Sequence, residues 1–148
     1  MSAIDRSYIV VDRQGTVFDR MLAIVRCEVI NLANAINRSR FLGAWLASTE
    51  LARSLDLAKW HLEQVPEAER PVAGEQLARL QAIAERVRAI APRPSKTAVM
   101  QARSSTRPAN RSAWDSEEQA WIAARSAHGP ILLAAGPDGL TLGCEGEP

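Results

Sequence analysis

A mainly α fold is predicted by three observations. Apolar residues recur at alternating four- and three-residue intervals through most of the first two thirds of the 148-residue chain. Prolines fall where those patterns stop, and the links between patterned stretches are short. Short links between long helices make neighbours antiparallel. The architecture expected is therefore a three-helix antiparallel bundle over residues 16–91, followed by a short fourth helix and a small C-terminal β-hairpin. An N-terminal strand would join that hairpin. One domain accounts for the length.

The run Tyr8-Ile9-Val10-Val11 is β-branched and precedes the turn residues Asp12-Arg13-Gln14-Gly15, which predicts a strand. Thr16 is expected to cap the first helix, with Asp19 three residues on. That helix spans about Val17 to Asn37, because Phe18, Leu22, Val25, Val29, Leu32 and Ile36 fall on one stripe. Continued, the stripe meets Ser39, Gly43 and Glu50, so its phase fails and Arg38-Ser39-Arg40 is expected to turn. The second helix spans about Phe41 to Val65, with Ala44, Ser48, Leu51, Leu55, Ala58, Leu62 and Val65 on its seam. Pro66 ends it, since the residue before proline avoids helical geometry.

Residues 67–70 connect to a third helix in which Pro71 suits the first position. Leu77, Leu80, Ala84, Val87 and Ile90 form its stripe, Glu75 and Arg79 are an i,i+4 pair, and Pro92 and Pro94 close it near Ala91. Residues 92–113 are rich in Pro, Ser, Thr and Arg, with only Val99 and Met100 as sizeable apolar groups. A loop or extended arm is expected there. Asp115 is placed as the cap of the fourth helix, with Glu118 at its third position, and Gly129-Pro130 as its stop. Ile131–Ala135 and Leu140–Cys144 flank Gly136-Pro137-Asp138-Gly139, a turn sequence that predicts a hairpin. A lone hairpin is marginal in water, so Tyr8–Val11 is the expected third strand.

The net charge of +1 conceals an uneven layout. Residues 1–85 carry ten basic and eleven acidic side chains. Residues 86–114 carry seven basic and no acidic ones: Arg86, Arg88, Arg93, Lys96, Arg103, Arg107 and Arg111. Residues 115–148 carry one basic and six acidic. The acidic end would then screen the basic run. Only Lys59 and Lys96 are lysine, and the excess of Ala and Arg fits GC-rich bacterial or phage coding.

The chemistry-bearing residues are few. His61 reads as a helix-surface histidine and His128 as a cation favoured at a helix C-terminus. Two histidines and two cysteines do not cluster with metal-ligand spacing, so neither metal nor cofactor is expected. No glycine-rich phosphate loop is present, and Ser95-Lys96 is a pair by adjacency alone. Cys27 is placed as a small core residue beside the first seam. Cys27 and Cys144 are too few for a disulfide framework, and a bond between them would need the hairpin to pack on the first helix. Without a long apolar stretch, a cytoplasmic protein with free thiols is expected.

These observations favour a non-enzymatic interaction module of bacterial or phage origin, such as an adaptor, inhibitor or assembly factor. Its partner-binding residues would be Arg93, Lys96, Arg103, Arg107 and Arg111 of the arm, plus Trp114. Trp and Arg are frequent interface anchors. The alternative is a nucleic-acid-associated accessory protein that lays the same cations on phosphates, although the run has no aromatic before Trp114 on which bases would stack. Trp45 is expected in the core. Trp60 lies off the seam with Arg53, Leu57 and Gln64, and is expected to be covered by the fourth helix ahead of a partner. The helical seams also suit pairing between subunits.

Overall fold

A computed structural model describes residues 17–104, 111–136 and 139–144. Among these the protein is mainly helical with one small antiparallel hairpin. The order is α1 (Val17–Asn37), α2 (Phe41–Leu62), α3 (Arg70–Arg88), α4 (Lys96–Ser104), α5 (Ser112–Ser126), β1 (Ile131–Gly136) and β2 (Gly139–Cys144). No described helix is long and apolar enough to cross a membrane. The expected strand at Tyr8–Val11 and the cap at Thr16 lie outside the described residues.

Helix α1 has the predicted bounds, and all six residues of its stripe are buried. The turn at Arg38–Arg40 is a Schellman motif. Arg40 N–H donates to the Ala35 carbonyl and Ser39 N–H to that of Ile36, each at 2.9 Å. Ser39 takes the left-handed conformation the motif requires, φ 54°, a place glycine usually fills. The seam of α2 is buried from Ala44 to Ala58. The helix stops at Leu62, three residues before the predicted end, and the Arg70 Nη2 donates to the Val65 carbonyl at 3.0 Å just beyond it.

Helix α3 starts one residue before Pro71 and buries Ala73, Leu77, Leu80, Ala84 and Val87. Its predicted end at Ala91 is corrected to Arg88. Ile90 and Ala91 continue in tighter bonds, to the Val87 and Arg88 carbonyls, and Ile90 is left exposed. The pair Glu75–Arg79 forms at 2.6 Å on the surface. Helices α1, α2 and α3 each contact the other two, and their seams make one hydrophobic core.

The hairpin pairs Ile131 with Cys144 through Gly136 with Gly139, and Gly139 has φ 103° at the turn. Strand β1 packs on α1 and β2 on α3, with Leu140 buried in the main core. The Asn37 amide clasps β1 at both ends of one residue. Its Nδ2 donates to the Ile131 carbonyl at 2.9 Å, and its Oδ1 accepts from Ile131 N–H at 2.7 Å.

Two expectations about single residues are corrected. Cys27 is exposed, not core. It lies two positions from Val25, which carries it about 200° round the helix to the far face. Asp115 is not a cap, because α5 already begins at Ser112 with Arg111 in the capping position; Asp115 sits within its first turn. The Cys144 side chain lies outside those described.

Candidate functional site

The basic run is not an extended arm between Pro94 and Ser104. Residues 96–104 form α4, which packs along α5. The local chemistry explains the helix. Pro94 cannot continue α3, and Ser95 follows it as a side-chain cap: its Oγ accepts from Ala98 N–H at 3.1 Å. A capping box would ordinarily add a carboxylate from the helix's own third position, where this chain has Ala98. Glu117 of α5 supplies it instead. Its Oε1 accepts from Ser95 N–H at 2.8 Å and its Oε2 from the Ser95 hydroxyl at 2.5 Å. Those two bonds, the hydroxyl's first, hold the Glu117 carboxyl below the usual carboxylate range.

The debt runs the other way as well. Gln101 of α4 accepts, through Oε1, from Ala113 N–H in the first turn of α5 at 2.8 Å. Each short helix thus provides an acceptor for a backbone donor that the other's start leaves orphaned.

Between this pair and α2 lies a second core, formed by Phe41, Ala98 and Trp114. Trp114 is only 2% exposed. Its ring meets Phe41 edge-on at 4.9 Å and Trp45 at 5.9 Å. Trp121 packs on Phe41 at 5.9 Å, and its Nε1 donates to the Ile90 carbonyl at 3.0 Å. Trp114 therefore cannot serve as a surface anchor. The indole fills the space that makes α4 and α5 dock on α2. Arg111 is half-buried with its guanidinium 5.9 Å from the Trp114 ring centre, within cation–π range. Its Nε has no hydrogen-bond partner among the described residues.

Of the six predicted partner-binding residues, three remain as surface cations. Arg93, Lys96 and Arg103 are exposed, and none pairs with a carboxylate among the described residues. Arg107 lies outside the described residues. The neighbouring Arg88 is engaged, with Glu85 at 2.8 Å and Ser48 at 3.4 Å. Of the acidic end expected to screen the run, α5 lies against α4 and its Glu117 bonds Ser95, while Asp138, Glu145 and Glu147 lie outside the described residues.

Sequence reasoning passed over Arg125. It is buried, its Nη2 donates to the Gly129 carbonyl at 2.6 Å, and its Nε is unpartnered among the described residues. It lines a cavity of about 340 Å³ with Arg86, Ile90, His128 and Leu142. A lone arginine in an acid-rich segment gave no signal of this. The other histidine, His61, is half-buried on α2 and stacks edge-on with Trp60 at 4.9 Å. No group of three or more His, Cys, Asp or Glu able to hold a metal occurs among the described residues. Trp60 itself is 55% exposed, uncovered by α5.

Comparison with protein-family profiles, with curated proteins and with solved structures finds no match to this chain.

Proposed function

We propose that the protein is a non-enzymatic interaction module, of bacterial or phage origin and cytoplasmic, that contacts an acidic protein surface through the α4 edge. The observation that carries this is the set of three exposed cations, Arg93 just ahead of the capped, docked helix α4 and Lys96 and Arg103 on it, none ion-paired with a carboxylate among the described residues. A folded edge holds its cations in place before the partner arrives, so less ordering entropy is lost on binding than with a loose arm. In this reading α1, α2 and α3 form an antiparallel bundle that serves as the platform. Arg111 and Trp114 support the edge from beneath, and Arg107, outside the described residues, belongs to the proposed contact set by its charge alone.

Nucleic acid is the weaker alternative. Trp45, Trp114 and Trp121 stack on one another or on Phe41, so among the described residues no free aromatic platform lies beside the cations for bases to occupy. The test compares the native protein with the triple variant Arg93→Gln, Lys96→Gln, Arg103→Gln in fluorescence anisotropy. The native protein should bind a labelled oligo-glutamate peptide, and the variant should lose that binding with its thermal midpoint unchanged. Absence of peptide binding at low salt overturns the proposal. Tight binding to random-sequence duplex DNA, with a slope of log K on log salt near −3 as three phosphate contacts would give, assigns the edge to nucleic acid instead.

A further inference from the structure

Helix α2 has a second, outward stripe. Gly43, Leu46, Glu50, Arg53, Leu57 and Trp60 follow one another at intervals of three, four, three, four and three residues, the spacing of a coiled-coil seam. Leu46 is 52%, Leu57 47% and Trp60 55% exposed, and Leu42 beside them 50%. The seams proper are buried inside the chain, so this face is what α2 has left to offer a partner.

We propose that a second copy of the chain docks on this face, α2 against α2, antiparallel about a two-fold axis. Such a contact must be self-complementary, because the same patch serves both sides. The stripe meets that demand at each layer. Read from its two ends inward, it sets Gly43 opposite Trp60, Leu46 opposite Leu57, and Glu50 opposite Arg53. The layers are small against large, apolar against apolar, and acid against base.

Two features that the single chain leaves unexplained follow from this pairing. The first is Gly43. Gly43 lies in the first turn of α2, where glycine still forgoes the helix propensity of alanine, yet a Cβ here would meet only the Arg40 Cβ at an ordinary 3.6 Å. Nothing among the described residues of its own chain requires a glycine. The Trp60 indole of a second copy does, since it needs a helix surface it can approach closely. The second is the charge pair in the middle of an apolar stripe. Within one chain Glu50 and Arg53 meet at a long 3.4 Å, with side chains 55% and 72% exposed, a geometry worth little. At the centre of the two-fold contact each Glu50 faces the other copy's Arg53. The pair then fixes antiparallel register, as buried polar residues do in coiled coils. One helix pair is a small interface, so dissociation in the micromolar range is expected. This contact is independent of the α4 edge.

Sedimentation equilibrium over a concentration series tests the proposal by charge reversal. The native chain should associate to a dimer. Glu50→Arg alone, or Arg53→Glu alone, sets like charges opposite each other and should weaken dimerisation at least tenfold. An equimolar mixture of those two variants restores opposite charges in every central layer, and it should dimerise. The double variant Glu50→Arg, Arg53→Glu should do so by itself. Gly43→Leu should weaken association at least tenfold, because it occupies the space of the indole. All these positions are exposed, so circular dichroism should report an unchanged fold. A native chain that stays monomeric to millimolar concentration overturns the proposal. So do single variants that dimerise like the native chain, or a mixture that stays monomeric.

Discussion

Trp114→Ala should remove the keystone of the second core. The side chain is 2% exposed, and an indole buries roughly 150–250 Å². At about 25 cal/mol per Å² that is about 4–6 kcal/mol of transfer free energy, an upper bound because the unfolded chain already buries part of it. Two edge-on ring contacts, to Phe41 and Trp45, are lost as well. Alanine in place of a core tryptophan typically destabilises by about 3–5 kcal/mol. With a urea slope of about 2 kcal/mol per molar, a loss of about 4 kcal/mol lowers the midpoint by roughly 2 M. The assay is urea unfolding followed by far-ultraviolet circular dichroism, with Trp60→Ala as the control. Trp60 is 55% exposed, and its truncation should change the monomer by no more than about 0.5 kcal/mol. A loss below about 1 kcal/mol for Trp114→Ala, or equal losses for both, would refute the assignment of Trp114 to the interior.

Further outcomes follow from single contacts. Ser95→Ala removes the cap of α4 and should cost about 1 kcal/mol; carboxyl-carbon titration by nuclear magnetic resonance should show Glu117 returning toward the ordinary carboxylate value. In the native chain the stabilisation that Ser95 gives Glu117 is present above that ordinary value and lost as pH falls through the lowered one. The Glu28 carboxyl is shifted upward, by burial first and by the charge of Glu50 last, against a hydrogen bond from Ser54. The folded state therefore holds that proton more tightly than the unfolded one, and stability falls as pH rises from the usual carboxylate range through the raised value. Glu28→Gln should raise the urea midpoint at pH 7 and leave it unchanged or lower below about pH 4; an unchanged midpoint at pH 7 sinks the argument. Ser39→Gly should stabilise by about 0.5–1 kcal/mol, since glycine meets no Cβ penalty in the left-handed conformation that Ser39 occupies; thermal melts would show a lower midpoint if strain is absent there.

The long helices were legible because burial repeats along them. Phe18 to Ile36 needs only its spacing to declare a face, and Pro66 and Pro92 bound the next two helices from outside, each helix ending a few residues before its proline. Helix α4 was hidden for the opposite reason. Among its described side chains only Ala98 is buried, so there is too little periodicity to count, and Arg103 with the flanking prolines reads as solvent. Its cap is half local, in Ser95, and half remote, in Glu117, which lies 22 positions on. Trp114 was misplaced because its neighbours in sequence are polar while its neighbours in space, Phe41 and Trp45, belong to α2. Of the site residues, the exposure of Arg93, Lys96 and Arg103 followed from composition alone. The half-burial of Arg111 depended on where the indole went.

The clasp between Asn37 and Ile131 joins residues 94 positions apart. Closing a chain segment of that length costs about 4 kcal/mol of configurational freedom, whereas the turn from α1 into α2 spans three residues. The expected order of assembly follows: the first helices find each other early and the ribbon arrives last, held by the Asn37 carboxamide and by the packing of Leu140 into the main core. The same hierarchy runs backwards under load. A pull on the C-terminal end should peel β2 and β1 away before any helix yields.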